Sequence, residues 1–235
     1  ENREEAWHNV YEGIKNVITE FQHKFEVKND FIKELQEVEF VTQNKKGTTL
    51  NDIFVFPNLS IAKDAFKKET IEYDYFLEKK KKSILIKGRE FSGKTALLKW
   101  LFMSLGEKYS PIFLSGSNIH KVINFDDHLK REFSRQINGD FNVWMKQDNK
   151  VAIIDNYNHN TSYNILKYLD DNFVMTIIAV DDEEYMLYFK DESSFADYAT
   201  LTLGQFDLAQ QEGLIRKWFQ VSQQGSLGEI NDLDI

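Results

Sequence analysis

Cysteine is missing from this 235-residue chain, and proline occurs only twice. The absence of cysteine excludes a disulfide framework, a cysteine-ligated zinc site and a thiol nucleophile. Basic residues are in the minority, since 29 Lys and Arg stand against 38 Asp and Glu and give a formal net charge of −9. That balance argues against a general nucleic-acid binder and against a polybasic membrane-surface module, because both need a positive surface.

Long apolar runs are lacking as well. The longest ones, Phe173–Val180 and Ser83–Ile86, have the length of strands and fall short of the ~18–20 residues that span a bilayer. The N-terminus reads Glu-Asn-Arg-Glu-Glu, without the basic start and apolar core of a signal peptide and without a methionine. We therefore expect a cytoplasmic chain without membrane contact, cut from a longer protein.

The N-terminal part carries apolar residues at helical spacing. From Trp7 to Phe25 they recur every three or four residues, which predicts one amphipathic helix over residues 2–25. A second helix is predicted over Asp30–Phe40. Both helices are expected to pack against the rest of the chain, and the alternative is that they dock a partner.

From Ser83 onward, strand-like apolar runs alternate with helical patterns. The predicted strands are Ser83–Lys87, Pro111–Leu114, Val151–Ile154, Phe173–Val180 and Thr200–Leu203. The predicted helices are Lys94–Gly106, Ile119–Ile137, Asp140–Gln147, Tyr163–Leu169 and Leu208–Phe219. Such alternation implies a mostly parallel sheet with helices on both faces. We expect an α/β three-layer sandwich around a five-stranded sheet, preceded by a helical segment.

A phosphate-binding motif lies between the first of these strands and its helix. The sequence Gly88-Arg-Glu-Phe-Ser-Gly93-Lys94-Thr95 matches G-x-x-x-x-G-K-[ST] in full. Glycines let the backbone wrap so that N–H groups point at phosphates, and the helix N-terminus adds a partial positive charge. Lys94 is expected to reach the β- and γ-phosphates, and the Thr95 hydroxyl to coordinate Mg²⁺. The predicted loop contacts to ATP or ADP are Gly88, Arg89, Glu90, Phe91, Ser92, Gly93, Lys94, Thr95 and Ala96.

Asp155 is the leading candidate for the second acid that such a site needs. It ends the buried strand that begins at Val151, and ligands in parallel sheets gather at the carboxyl ends of strands. We expect Asp155 and Thr95 to hold Mg²⁺ together.

The residue after Asp155 predicts slow hydrolysis. Many hydrolysing P-loop ATPases place a glutamate there, whereas this chain has Asn156. Asparagine can orient water but cannot accept its proton, and general-base assistance is worth about 10²–10⁴-fold. The predicted catalytic residues are Lys94, Asp155 and Asn156. Asp181 and Asp182 could substitute for the missing base, or they could belong to a solvated loop.

Several P-loop classes are excluded by missing motifs. The D-x-x-G and N-K-x-D patterns of GTPases and the L-S-G-G-Q signature of transporter ATPases do not occur. A small-molecule kinase would need an arginine-rich lid, yet residues 181–195 are acidic with a single lysine, Lys190. What remains is the group of ATPases with an extra strand between the P-loop strand and the strand that ends in the second acid.

Four segments of the chain carry a further resemblance. They are Leu50-Asn-Asp-Ile-Phe-Val-Phe-Pro-Asn-Leu59, Ile84-Leu-Ile-Lys-Gly-Arg-Glu-Phe-Ser-Gly-Lys-Thr95, Ala152-Ile-Ile-Asp-Asn-Tyr157 and Leu214-Ile-Arg-Lys-Trp218. Together they resemble the NACHT-like ATPase core of bacterial STAND proteins, signal-transduction ATPases with numerous domains that include antiphage defence proteins. The similarity spans about residues 48–220.

The resemblance implies an ATP-dependent switch that couples nucleotide binding to self-association and activates an effector in the same chain, with sensor repeats detecting the trigger. It places the adenine contact at Ile53–Phe56, so that Val55 lies beside the base and Phe54 and Phe56 stack on it; the alternative is that these are core strand residues. Arg216 or Lys217 would close over the phosphates, or would be plain surface charges. The chain departs from the family at Asn156 and at Asp181, where the family often has an acid and an arginine.

The implied organisation has three parts. Residues 1–47 would be a helical linker or docking segment, residues 48–220 the ATPase domain, and residues 221–235 a tail leading into a further helical region. Two other functions stay open: an interaction scaffold whose nucleotide is structural or lost, and a general AAA-type remodelling ATPase.

Overall fold

A computed structural model of the protein describes residues 5–14, 25–38, 48–62, 67–77, 82–119, 121–160, 163–190 and 195–230. Its strands are β1 (Glu26–Val27), β2 (Leu59–Ala62), β3 (Lys68–Ile71), β4 (Lys82–Gly88), β5 (Ser110–Ser115), β6 (Ile137–Asn138), β7 (Lys150–Asp155), β8 (Met175–Asp181) and β9 (Tyr198–Leu203). Its helices are α1 (5–14), α2 (Asn29–Gln36), α3 (Leu50–Ile53), α4 (Asp74–Leu77), α5 (Lys94–Leu105), α6 (Gly116–Ile119), α7 (Phe125–Gln136), α8 (Phe141–Met145), α9 (Tyr163–Asn172), α10 (Asp182–Glu184) and α11 (Leu208–Ile230), and a π-helical turn covers Tyr185–Phe189.

In the described part of the chain, seven strands form one sheet in the order β3-β2-β9-β4-β8-β7-β5. The strands from β9 to β5 are parallel, which confirms the five predicted parallel strands. An antiparallel pair, β2 and β3, extends the sheet at one edge and was not predicted. These two strands are four residues long and β3 is mostly exposed, so they carry too little apolar alternation to be recognised.

Strand β8 lies between β4 and β7, so the expected extra strand separates the P-loop strand from the strand of Asp155. Side chains alternate between two cores: Ile84 and Ile86 pack with α5, whereas Leu85 packs with α7 and α9. Alternation of this kind places helices on both faces of the sheet. The predicted three-layer α/β architecture is confirmed.

The structure describes only part of the predicted N-terminal helix. Helix α1 covers residues 5–14, residues 15–24 lie outside the described part, and Phe25 is not helical. Phe25 instead packs edge-on against Phe133, with ring centroids 5.9 Å apart. The predicted apolar stripe of α1 is exposed at Trp7, Val10, Tyr11 and Ile14, so the expected packing is not seen over these residues.

Helix α2 joins the core next to α5. Phe31 and Leu35 are buried, and Phe31 meets Phe102 edge-on at 5.4 Å between ring centroids. The predicted helix over Asp30–Phe40 ends early, at Gln36, because Glu37 is extended with ψ 129°. Phe40 lies outside the described residues.

Other predicted boundaries also shift. The helix predicted over Ile119–Ile137 is interrupted, because the Asn124 side chain accepts backbone N–H groups and caps a new helix, α7. Ile137 belongs to β6, which pairs with β1. Helix α11 continues past the predicted end at Phe219. Within the described ranges, no helix combines the length and apolarity needed to cross a bilayer.

Candidate nucleotide site

The loop between β4 and α5 has the backbone of a phosphate cradle. Gly93 has φ +93° and Phe91 has φ +58°, so two residues adopt the left-handed conformation that turns successive N–H groups to one side. Gly88 is tightly enclosed, since an added Cβ would lie 2.8 Å from Ser92 Oγ and 3.0 Å from Leu203 Cβ. The loop conformation therefore depends on both motif glycines. Phe91 itself points into solvent, with 95% of its surface exposed.

Lys94 is buried at the start of α5 and is held by three acceptors. Its Nζ donates to the carbonyls of Gly88 at 3.0 Å and Arg89 at 2.8 Å, and to Asp181 Oδ1 at 2.6 Å. Asp181 ends β8, directly opposite Gly88 in the parallel register. The lysine thus lies over the mouth of the loop, where phosphates would enter.

Thr95, in the first turn of α5, contacts Asp155 at the end of β7, although the two residues are distant in sequence. Thr95 Oγ1 donates to Asp155 Oδ2 at 2.8 Å, and Asp155 is only 6% exposed. Burial raises the pKa of the Asp155 carboxyl, while hydrogen bonds from Thr95 and the Asn156 N–H and the charge of Lys94 oppose that rise. This is the arrangement of a P-loop NTPase module.

The donor set of this P-loop module fits Mg²⁺. A hydroxyl and a carboxylate are hard oxygen ligands, and Mg²⁺ at such sites takes only one or two protein side chains and completes its shell with phosphates and water. Among the described residues, no group of three or more His, Asp and Glu side chains could hold a metal by itself.

Asn156 adopts a conformation that suits asparagine. Its φ is +53°, a region in which asparagine is several-fold enriched over most other residues. Its N–H donates to Asp155 Oδ1 at 3.0 Å and thereby orients the acid. The backbone here is closely packed, because a Cβ added to Gly116 of α6 would lie 2.4 Å from the Asn156 carbonyl oxygen.

In the predicted adenine segment, Ile53 is the last residue of α3, and residues 54–56 follow it outside any strand of the sheet. Phe54 stacks on Trp100 of α5 with ring centroids 4.8 Å apart, and Phe56 meets Trp100 edge-on at 5.5 Å. Ala96 packs in the same cluster as Phe54, so the segment runs beside the first turns of α5. Residues 54–56 are therefore not in a strand. The rings of Phe54 and Phe56 pack against the core, as the alternative to an adenine contact expected.

Helix α11 holds this segment from the other side. Lys217 Nζ donates to the Phe54 carbonyl at 2.6 Å, and Gln210 Nε2 donates to the Phe56 carbonyl at 2.9 Å. Val55 lies near Gly213 of the same helix. Arg216, the predicted phosphate contact, instead pairs with Glu212 on the exposed surface at 2.6 Å.

Sequence reasoning missed several of these residues. The pairing of Asp181 with Lys94 was not foreseen, although both lie where ligands gather in a parallel sheet. Trp100 and Gln210 were missed because an aromatic on a core helix and a surface glutamine carry no chemical signal by themselves. Gly116 was missed because close backbone approach leaves no pattern in a single sequence.

Comparison with protein-family models gives no match, and neither does comparison with curated protein sequences. Solved structures with a similar fold include the Drosophila ORC bound to DNA, with 16% identity over 65% of this chain and 45% of that chain and a TM-score of 0.43. Cdc6p from Pyrobaculum aerophilum matches with 14% identity over 57% of this chain and 42% of that chain, with a TM-score of 0.40. Domain III of the Thermotoga maritima replication initiation protein DnaA matches with 15% identity over 60% of this chain and 62% of that chain, with a TM-score of 0.39.

The P-loop module spans less than two thirds of each of these chains.

Proposed function

We propose that this chain is an ATP–Mg²⁺-binding switch module with slow hydrolysis, which controls self-association and activation of an effector in a cytoplasmic signalling or antiviral defence protein of the STAND type. The observation that carries the proposal is the contact between Thr95 Oγ1 and Asp155 Oδ2 at 2.8 Å. It joins the two predicted metal ligands beside Lys94, although they are 60 residues apart.

Each residue of the site has a part in this proposal. Loop N–H groups and Lys94 bind the phosphates, and the Thr95 hydroxyl and Asp155 carboxylate would hold Mg²⁺. The metal, when bound, would neutralise charge that develops on the phosphate oxygens. Asn156 can position a water molecule but cannot take its proton, which supports slow turnover.

The switch is supported by the connection between α11 and the predicted adenine segment. Two side chains of α11, Lys217 and Gln210, donate to carbonyls on either side of Val55. A base that binds this segment would therefore act on α11. Such a connection offers a physical route from the nucleotide to a helix outside the phosphate loop, which a switch requires.

Nucleotide binding can be tested by titrating a fluorescent ATP analogue with and without Mg²⁺. Lys94→Ala should abolish binding, while Lys130→Ala, which removes an exposed lysine of α7, should leave it unchanged. Thr95→Ala and Asp155→Asn should remove most of the Mg²⁺ dependence. Affinity for ATP that survives Lys94→Ala would contradict the assignment.

Two further measurements separate the alternatives. If the chain is a scaffold with lost nucleotide binding, ATP–Mg²⁺ should not raise its stability, whereas a ligand at a hundred times its Kd adds about 2.7 kcal/mol. The strand order suits a general AAA-type remodelling ATPase equally well, and ATP-dependent hexamers in light scattering would favour that function. Turnover well above about 1 s⁻¹, within the ordinary enzyme range, would contradict slow hydrolysis.

A further inference from the structure

We propose that Asp181 sets the nucleotide preference of this site, because its carboxylate competes with the γ-phosphate for Lys94 and makes ADP bind more tightly than ATP. The inference depends on the proposed function, since it assumes that the loop binds a nucleotide. It adds a selectivity determinant that the phosphate loop alone does not contain.

Lys94 uses all of its hydrogen-bond donors on groups of the protein. An ammonium group has three N–H donors, and Lys94 uses them on Gly88 O, Arg89 O and Asp181 Oδ1. A phosphate oxygen that binds Lys94 must take the place of one of these acceptors. The two carbonyls belong to the loop backbone, whereas Asp181 is a side chain with 49% of its surface exposed. Asp181 is therefore the acceptor that has to leave.

The backbone of Asp181 is held beside the phosphate loop by the elements on either side of it. It pairs with Gly88 in the register of β8 and β4, and α10 begins at the next residue. The segment after it is anchored to β4, because Lys87 Nζ lies 4.5 Å from the centre of the Tyr185 ring. When its side chain turns away from Lys94, the carboxylate remains next to the site.

Among the described residues, Asp181 forms its ion pair with Lys94, and its neighbours in the chain are acidic. Asp182, Glu183 and Glu184 follow in the first turn of α10. Glu184 accepts the N–H of His159 at 2.8 Å and lies 2.7 Å from its Nδ1, but this does not involve Asp181. Lys94 is thus the cation that both the carboxylate and an entering phosphate would use.

The γ-phosphate, which ADP lacks, distinguishes the two nucleotides at this contact. Loop amides hold the α- and β-phosphates and the lysine reaches the β- and γ-phosphates. The γ-phosphate adds negative charge on the lysine side, where Asp181 lies, so its repulsion by the carboxylate exceeds that of the β-phosphate. ADP keeps its contacts with the loop amides and therefore loses less binding free energy to this repulsion.

The test compares Kd values for ADP and ATP, both with saturating Mg²⁺, in wild type and Asp181→Asn. Asparagine still accepts a hydrogen bond from Lys94 but carries no charge. We expect wild type to favour ADP by about tenfold, and the variant to bind ATP about tenfold more tightly with a change of about threefold or less for ADP, since the carboxylate is half exposed and partly screened.

A matched control removes a nearby charge that does not contact Lys94. Glu183→Gln, on the exposed surface of α10, should change either affinity less than about twofold. Asp181→Ser provides a second uncharged variant should Asp181→Asn not fold. Both Asn and Ser are favourable before a helix, and Asp181 makes no side-chain cap at α10, so the helix start is preserved.

The outcomes distinguish this inference from the proposed function. If wild type binds neither nucleotide, or if Lys94→Ala binds as well as wild type, the proposed function is wrong. If wild type binds nucleotide through Lys94 but favours ATP, or if Asp181→Asn leaves the ATP-to-ADP ratio unchanged, the inference alone is overturned. Weaker ATP binding in Asp181→Asn would make Asp181 part of the metal site and would also overturn it.

Discussion

Replacing Gly116 by alanine should disturb the candidate site, because Gly116 lies against the backbone that follows Asp155. An alanine Cβ would lie 2.4 Å from the Asn156 carbonyl oxygen and 2.5 Å from Tyr157 Cα. Both are backbone atoms that cannot rotate away, and ordinary contacts require about 3.5 Å. The backbone at Asn156 and Tyr157 must therefore shift by about 1 Å.

The cost of this shift follows from the contacts it strains. Tyr157 N–H donates to the Ala179 carbonyl at 3.0 Å, and Asn156 N–H donates to Asp155 Oδ1 at 3.0 Å. Overpacking costs about 1–3 kcal/mol, and each weakened hydrogen bond adds up to about 1 kcal/mol. We expect a loss of about 3 kcal/mol in the free energy of unfolding, which lowers Tm by roughly 6–12 °C for a chain of this size.

The assay is denaturant unfolding combined with Mg²⁺-dependent nucleotide binding. Because the shift moves the residue that orients Asp155, the Mg²⁺ dependence of binding should weaken as well. Gly213→Ala is the matched control, since its Cβ would meet only Val55 Cγ2 at 3.8 Å, and a mid-helix alanine adds about 0.5–1 kcal/mol. A Gly116→Ala protein within about 0.5 kcal/mol of wild type, in the range of surface substitutions, would refute the reasoning.

Three other predictions concern side chains around the site and in the core. His128 is buried and its Nε2 has no hydrogen-bond partner among the described residues. Burial lowers its pKa, so stability should fall below pH ~6.5 by about 1.4 kcal/mol per unit until the folded-state pKa is reached, and His128→Gln should remove this slope in pH-dependent melts. Tyr198→Phe, which deletes the hydroxyl that donates to Asp170 at 3.1 Å, should cost about 1–2 kcal/mol in denaturant unfolding; an unchanged midpoint would contradict that bond. Lys217→Met, which removes the donor to the Phe54 carbonyl, should weaken ATP binding with little effect on its Mg²⁺ dependence in titrations; equal affinity would contradict the role of α11.

Residues with strong local chemistry could be placed from the sequence alone. The loop from Gly88 to Thr95 connects β4 to α5 as predicted. Few other local structures suit two glycines that are followed by a leucine-rich helix. Asp155 was found for a similar reason, since four apolar residues before an acid mark the end of a buried parallel strand. The five parallel strands carry such apolar runs, and all five were identified.

Features that depend on tertiary contact could not be predicted. The antiparallel edge at β2 and β3 has little apolar signal, and the end of α2 before Val38 depends on the extended backbone at Glu37. Phe54 was expected to meet a base or lie in a strand, yet its ring stacks on Trp100. Packing between elements that are far apart in sequence determines which aromatic ring a side chain contacts.

For phosphate binding at Lys94, the acidic residue next to this lysine matters more than the net charge of the chain. Charges separated by more than about 8 Å are largely screened at physiological salt, so the net charge of −9 does not by itself prevent a polyanion from binding in a cradle of amides. A carboxylate 2.6 Å from the lysine is well within that distance and is screened much less. The balance of charge at this one contact, rather than over the surface, therefore decides which phosphate the site accepts. One residue, Asp181, can thus bias the module toward one nucleotide without any change in the loop itself.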